Sequence, residues 1–226
     1  MRTEMKVDYK KEFKYLYTAS RKNIAIVDVP PQNYLMIDGR GDPNTSTDYQ
    51  ASLEALFGKT YTVMFHLKKL GVEPDFTVML LEGLWWMDDP GGFDLNDKDN
   101  WLWTTMIFQS PHISDEHIEE ATEQLRKKKN PSALLKLRFE SYHEGPSVQI
   151  MHVGPYDEEG PAVEQIHSFI LGSGHHPHMK HHEIYLSDPQ RTDPGKLKTI
   201  LRQPMTADLE ADAQQVVDPG TVCFWV

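Results

Sequence analysis

Cysteine is almost missing from this chain: Cys223 stands alone among 226 residues, so no disulfide can close within it. That fits a reducing compartment, and a cytoplasmic location is expected. Long apolar runs are missing as well. Nothing approaches the roughly 20 residues that a bilayer span requires, and the polar start lacks a signal-peptide core, so no membrane association is expected. Positive charge is scarce: 23 Lys and Arg face 34 Asp and Glu, leaving −11 with the histidines neutral. A field of that sign disfavours nucleic acid and favours cations. No P-loop, nucleophile elbow or Ser-His-Asp arrangement occurs. The run Gly39-Arg40-Gly41-Asp42-Pro43 fails the dinucleotide fingerprint because Asn44 stands where a third glycine belongs, and it reads as turn chemistry. His175, His176, His178, His181 and His182 follow no zinc spacing and have no cysteines beside them. Neither a metal nor a cofactor is expected.

What is present reads as one mixed domain between two polar ends. Residues 1–22, polar and basic but broken by Phe13, Tyr15, Leu16 and Tyr17, are expected to form an arm with one docked turn. A strand pair is expected over Ile24–Val29 and Tyr34–Ile37, then a helix from Asp48 to Leu70 with Gly71 at its C-cap position. Strands over Asp75–Leu81 and Trp101–Gln109 flank the acidic, glycine-rich loop Met87–Asn100. Ser114 is placed to cap a second helix that keeps Ile118, Ala121 and Leu125 on one side and ends on basic residues. Strands Leu134–Glu140 and Val148–Val153 follow, then a helix to about Leu171 with Ala162, Val163, Ile166, Phe169 and Ile170 as its buried stripe. A histidine-rich loop, Gly172–Lys180, leads to a short strand around Glu183 and a last strand, Leu197–Gln203, ending at Pro204. The tail, 205–226, closes on Val222-Cys223-Phe224-Trp225-Val226, an apolar end expected to dock on the fold.

The order strand, glycine-ended turn, helix, strand, strand occurs twice, over about 23–111 and 134–204. Gly39 aligns with Gly154, Asp75–Leu81 with His181–Leu186, and Thr105-x-Ile107-x-Gln109 with Thr199-x-Leu201-x-Gln203. The expected fold is therefore α+β: duplicated βαββ units in one curved antiparallel sheet, helices on one face and a ligand groove between the repeats. In the strand His181-His182-Glu183-Ile184-Tyr185-Leu186, period two sends Ile184 and Leu186 to one face and Glu183 with Tyr185 to the other. Helices are expected over the first face, leaving the carboxylate and the phenol on the open one. That pair is either a wet sheet surface or the floor of a cleft.

The signature Gly154-Pro155-Tyr156-Asp157-Glu158-Glu159, the strand Glu183–Pro189, Lys196-Leu197-Lys198-Thr199 and Arg202-Gln203-Pro204 resemble the GyrI-like small-molecule-binding family. Its members include effector domains of multidrug-sensing transcription activators and the gyrase-inhibitory protein. More narrowly, the chain is similar to a stand-alone subgroup carrying Glu82-Gly83-Leu84-Trp85-Trp86, some of whose members hydrolyse cyclopropanoid DNA-alkylating natural products. The likeness runs over roughly residues 5 to 205. It implies a groove between the two units with a glutamate on the penultimate strand at its floor. Glu183 falls on that position and Tyr185 shares its face; no DNA-reading element fits in the N-terminal arm.

On this reading Trp85, Trp86, Trp101 and Trp103 sandwich a flat aromatic ligand, Tyr185 donates to its carbonyl, and Glu183 orients a water onto the strained ring. Glu82 is the second candidate acid or base, and Met106 and Tyr142 are candidate lining residues whose facing parity leaves open. Each residue has a plainer reading: Glu183 as a solvated strand carboxylate, Tyr185 as sheet packing, Glu82 as a turn residue, the tryptophans as core. Adjacent Trp85 and Trp86 must point to opposite sides, so one of them is structural. Two alternatives to turnover stand beside it: a non-catalytic binder that sequesters or senses drugs, and a module that restrains a protein partner such as gyrase.

Overall fold

The computed structural model describes residues 6–72, 74–88 and 97–207. Most of the acidic loop after Trp86 and the apolar C-terminal end lie outside the described residues. In chain order the elements are β1 (Lys6–Val7), α1 (Tyr9–Glu12), β2 (Ala25–Val29), β3 (Gln32–Arg40), α2 (Thr47–Leu70), β4 (Asp75–Phe76), β5 (Leu81–Trp86) and β6 (Leu102–Phe108). They continue as α3 (Asp115–Lys128), β7 (Arg138–Tyr142), β8 (Gly145–Val153), α4 (Gly160–Gly172), β9 (His175–Pro177), β10 (His181–Tyr185) and β11 (Lys198–Ala207).

The local chemistry explains the helices. Ser46 Oγ accepts from Tyr49 N to start α2, and Gly71, at φ 70°, takes the left-handed cap that ends it. Ser114 caps α3 in a reciprocal box with His117.

The main sheet runs β2-β8-β11-β10-β5-β6-β3-β7, with β9 added beside the end of β11. Strands β2 and β3 are six steps apart in that order, yet only Pro30 and Pro31 join them. A flat sheet would hold those strands about 29 Å apart at about 4.8 Å per step, whereas two residues bridge about 10 Å. The same mismatch separates β7 from β8, joined by His143 and Glu144. The sheet therefore curls strongly into a half-barrel and brings its two edges towards each other.

Pairing register reveals an internal twofold. Glu183 lies opposite Gly83 at the β10–β5 seam. Rotation about that pair carries His182 onto Glu82, Ile184 onto Leu84 and Tyr185 onto Trp85. Following the ladders outwards puts Thr199 on Trp103 and Gly154 on Gly41. Both glycines have positive φ, 101° at Gly41 and 150° at Gly154. The correspondence expected from letters alone was thus displaced: Gly41, not Gly39, is the partner of Gly154, and β5, not Asp75–Leu81, is the partner of β10. Of that expected strand Asp75–Phe76 pair in parallel with β1 and Leu81 opens β5; Thr77–Leu80 between them pack as irregular chain, with Met79 in the core.

Helices α2 and α4 lie on the convex face, one over each unit. Ile166 and Ile170 of α4 cluster with Val148, Ile150, Leu201 and Met205, and Leu201 is the register partner of Glu183. On the other unit Ala55 packs on Ile37 and Ser52 Oγ lies 3.4 Å from Thr105 Oγ1. Glu183 and Tyr185 therefore share the face that carries the helices, between them, which corrects the expectation that they look out from the uncovered side. The concave face is not open either. The stretch expected to be an arm with one docked turn packs into it more extensively, with Tyr9, Leu16 and Tyr17 buried against Tyr34, Met106, Phe108 and Ile184. A hollow lined that richly with apolar side chains has to be covered, and the aromatic residues of the arm cover it. The expected histidine-rich loop also gains structure, since His175–Pro177 pair with Met205–Ala207 and carry β11 past Pro204.

Candidate functional site

Where α2, α4 and the β10–β5 seam meet, two carboxyls and a set of aromatic rings converge. Tyr185 Oη donates to Glu183 Oε2 at 2.7 Å and accepts from Trp85 Nε1 at 3.1 Å. Tyr185 and Trp85 are twofold equivalents, and they meet because residue 83 has no side chain. A Cβ on Gly83 would stand 2.8 Å from Trp85 Nε1 and 3.0 Å from Tyr185 Oη.

The second carboxyl belongs to Glu159, the N-cap residue of α4, which is buried and makes no capping bond through its side chain. It sits close enough to Glu183 for the negative charge of Glu183 to raise its proton affinity. Burial pushes Glu159 up to about 10, helped by the negative Glu183. Burial also lifts Glu183, to about 7, against the hydrogen bond from Tyr185, the charge of His182 and a hydrogen bond from the neutral Glu159, which pull it down. The Glu183 side chain keeps 16% of its surface, enough for contact with a ligand. Two carboxyls pushed apart in this way supply a proton acceptor and a neutral proton donor side by side at neutral pH. Glu159 Oε1 and Thr199 Oγ1, the latter on the register partner of Tyr185, are buried near each other, close enough for Thr199 to lower the proton affinity of Glu159 but short of a well-formed hydrogen bond, so both can turn to a ligand's polar group.

Aromatic rings form the walls. Tyr156 stands edge-on to Tyr185 at 5.6 Å, and Trp101 edge-on to Trp85 at 5.7 Å. Tyr49 of α2 lies 6.2 Å from Trp85 and packs edge-on against Trp103 at 5.0 Å. Trp103 itself is sealed under the site, its ring lying over Gly39, where a Cβ would come within 2.1 Å. It supports the wall rather than lining it.

Of the residues singled out in the sequence, Glu183, Tyr185, Trp85 and Trp101 are brought together, with Trp103 beneath. Trp86 points to the opposite face, where Lys180 Nζ lies 3.3 Å from its ring centre. Glu82, Met106 and Tyr142 are also on that concave side, Glu82 and Met106 without exposure and Tyr142 packed against the core. Strand parity separates them from Glu183, because Glu82 is the neighbour of Gly83 and so faces the other way. Glu82 instead joins a buried network: His182 Nε2 lies 3.0 Å from Glu82 Oε2, and His182 Nδ1 lies 3.0 Å from both oxygens of Glu144. Arg202 Nη1 donates to Glu144 at 3.1 Å, and Tyr17 Oη to Glu82 at 3.0 Å.

Sequence reasoning missed Glu159, Tyr49 and Tyr156 as parts of the site. One signal was available for Glu159: a glutamate at a helix start where Ser, Thr, Asp or Asn is the usual cap. Among the described residues no group of three or more His, Cys, Asp or Glu is placed to hold a metal, and no helix is long and apolar enough to cross a membrane.

Comparison with solved structures places this architecture. An uncharacterized conserved protein from Listeria innocua is 40% identical, with TM-score 0.83 over 88% of this chain and 100% of its own. A hydrolase from the same organism is 38% identical, with TM-score 0.77 over 88% and 100%. The C-terminal domain of EcmrR, at 13% identity and TM-score 0.51 over 82% and 98%, shares the fold alone. Among curated proteins nothing matches. The GyrI-like small molecule binding domain matches residues 22–204, nearly the whole of the curled sheet and its helices, and the chain belongs to that family.

Proposed function

We propose that this chain binds a flat, largely hydrophobic small molecule in the groove between α2 and α4 and hydrolyses it, with cyclopropanoid alkylators as the substrate class. The observation that carries this reading is the Glu159–Glu183 pair: one carboxyl held neutral, the other poised to ionise, beneath aromatic walls. The description of a 38% identical Listeria innocua relative as a hydrolase supports it.

The chemistry follows from the two protonation states. Glu183, as carboxylate, takes a proton from water as the water oxygen bonds to the methylene of a cyclopropane conjugated to a carbonyl. The ring C–C bond breaks, its electron pair moves to the carbonyl oxygen, and that oxygen takes a proton from Glu159. The sum is addition of one water to the substrate and transfer of one proton from Glu159 to Glu183, which passes back between the two neighbouring carboxyls before the next turnover. Tyr185 is a positioning residue here, holding the carboxylate while Trp85 holds Tyr185. A positioned general base contributes about 10²–10⁴-fold.

Incubation of the protein with a cyclopropanoid alkylator, with chromatography for the ring-opened hydroxy product, tests this. Glu183→Gln is expected to lower kcat by about 10²–10⁴-fold while ligand affinity stays within about tenfold. Tight stoichiometric binding with no product would establish a sequestering or sensing protein instead. Absence of both, with a protein partner retained by groove variants, would leave the interaction module.

A further inference from the structure

The buried network on the concave side lies directly behind the proposed groove. His182 is the residue before Glu183 on β10, facing the opposite way. Both its ring nitrogens meet carboxylate oxygens, Nε2 at 3.0 Å from Glu82 and Nδ1 at 3.0 Å from Glu144. A neutral imidazole has one N–H, so its second nitrogen would set a lone pair against an oxygen lone pair. Tyr17 also donates to Glu82 and Arg202 to Glu144, which favours both carboxyls as anions, and with both ionised every contact is satisfied by an imidazolium between two carboxylates. All four side chains of the cluster have 2% exposure or less. Two anions and two cations balance there, and the cation adjoining the groove is His182.

We infer that His182 is a positioning residue for the groove: a buried imidazolium, clamped by Glu82 and Glu144, whose charge keeps the Glu183 carboxyl ready to ionise. This inference rests on Glu183 being the reactive carboxyl. The other titratable groups facing Glu183 do not supply a cation. Glu159 on α4, Tyr49 on α2, and Tyr156 and Tyr185 are neutral or anionic. His181, whose Nε2 is 3.9 Å from Glu183 Oε1, is held neutral by burial and by the neighbouring His167 and His182. Around His182 itself stand Glu82 on β5, Glu144 in the β7–β8 link, Arg202 on β11, Tyr17 in the N-terminal segment and Tyr34 on β3. The internal twofold sharpens the point: Glu82 occupies the place of His182 in the first unit, and its neighbour is Gly83, with no carboxyl to serve.

Charge counting makes the test specific. Removing the imidazolium leaves the cluster with one excess negative charge; removing one of its carboxylates leaves one excess positive charge. The titration of the Glu183 carboxyl is read by ¹³C NMR on the intact chain with labelled glutamate, the resonance assigned by its loss in Glu183→Gln. His182→Gln is expected to move the midpoint up by about one pH unit or more, Glu82→Gln to move it down, and the double variant to return it towards the starting value. Thermal unfolding checks that each variant is folded. Because Gln at position 82 keeps its shape and can still accept from Tyr17, that variant carries the test if His182→Gln does not fold. Midpoints unchanged, or shifted the same way by both substitutions, overturn the inference. The NMR readout needs no turnover, so a chain that binds without hydrolysing would defeat the proposed reaction and leave this test intact.

Discussion

Glycine 83 is as much a part of the proposed groove as the glutamate opposite it. The room over that residue is occupied by the Trp85–Tyr185 hydrogen bond, and an indole is too rigid to yield to a methyl group 2.8 Å from its nitrogen. Gly83→Ala would gain about 0.4–1 kcal/mol from the unfolded chain, less than the about 1–3 kcal/mol that overpacking costs. Net destabilisation is therefore expected, together with loss of the Tyr185 contact that orients Glu183. The expected outcome is a Tm lower by a few degrees and ligand affinity reduced at least about tenfold, measured by thermal unfolding and by calorimetric titration. An unchanged Kd would show that the Trp85–Tyr185 pair does not shape the groove. At this scale strand parity was legible in the sequence: it paired Glu183 with Tyr185 and split Trp85 from Trp86. Which side the helices cover was not, because α2 and α4 choose a face through contacts such as Ile166 on Leu201 that join residues far apart in the chain. Glu159 escaped for the same reason. Its role depends on a neighbour 24 residues later, and nothing in the local pattern supplies that neighbour.

Elements whose limits are set by caps were read well from the sequence, and those whose limits are set by partners were not. The serine caps of α2 and α3 and the glycine that ends α2 act within one turn, so they are visible locally. The strand expected over Asp75–Leu81 has the right composition, yet the ladder that would complete it forms at Leu81–Trp86. The N-terminal segment is the largest revision. Its polar sequence reads as an arm, but Leu16 and Tyr17 are buried, Arg202 Nη2 donates to Leu16 O at 2.7 Å, and Gln149 Nε2 donates to Tyr15 O at 2.8 Å. Tyr17 offers the cleanest test of this contact. Tyr17→Phe keeps the ring and removes only the donor to Glu82, leaving a buried oxygen with one partner fewer. A loss of about 1–3 kcal/mol is expected, measured by chemical denaturation, with the m-value unchanged. A loss under about 0.5 kcal/mol would mean that the segment rests on the sheet without sealing it.

The whole molecule carries opposed buried charges, and their balance sets how stability follows pH. Glu144 is buried, which alone would raise it, yet the charges of His182 and Arg202 hold it down at about 2. Its contribution is complete above its ordinary 4.5 and is lost as pH falls from there towards 2. His182 runs the other way. Burial alone would lower it, but Glu144 and Glu82 raise it to about 9, so its contribution is complete below 6.5 and is lost as pH climbs through 9. The groove carboxyls add to the alkaline loss. Glu183 and Glu159, lifted by burial to about 7 and about 10, hold protons in the fold that the unfolded chain releases from about 4.5 upwards, so each costs stability as pH rises. Stability is thus expected to peak near pH 4.5, to fall below it with Glu144, and to fall above it first with the groove carboxyls and then, past 6.5, with His182 as well. Thermal scans from pH 3 to 9 would show this as a maximum in Tm, and a Tm still rising at pH 9 would contradict it. Glu159→Gln isolates one source of the alkaline slope. It removes the share of Glu159 and leaves those of Glu183 and His182, so at pH 8 to 9 the variant should melt higher than the parent by at least about 2–4 °C, which corresponds to about 1 kcal/mol for a chain of this size. The gap should close towards pH 4, where both proteins carry a neutral group at that position. A groove that is less stable with its native glutamate than with glutamine keeps that carboxyl for chemistry at a cost to the fold.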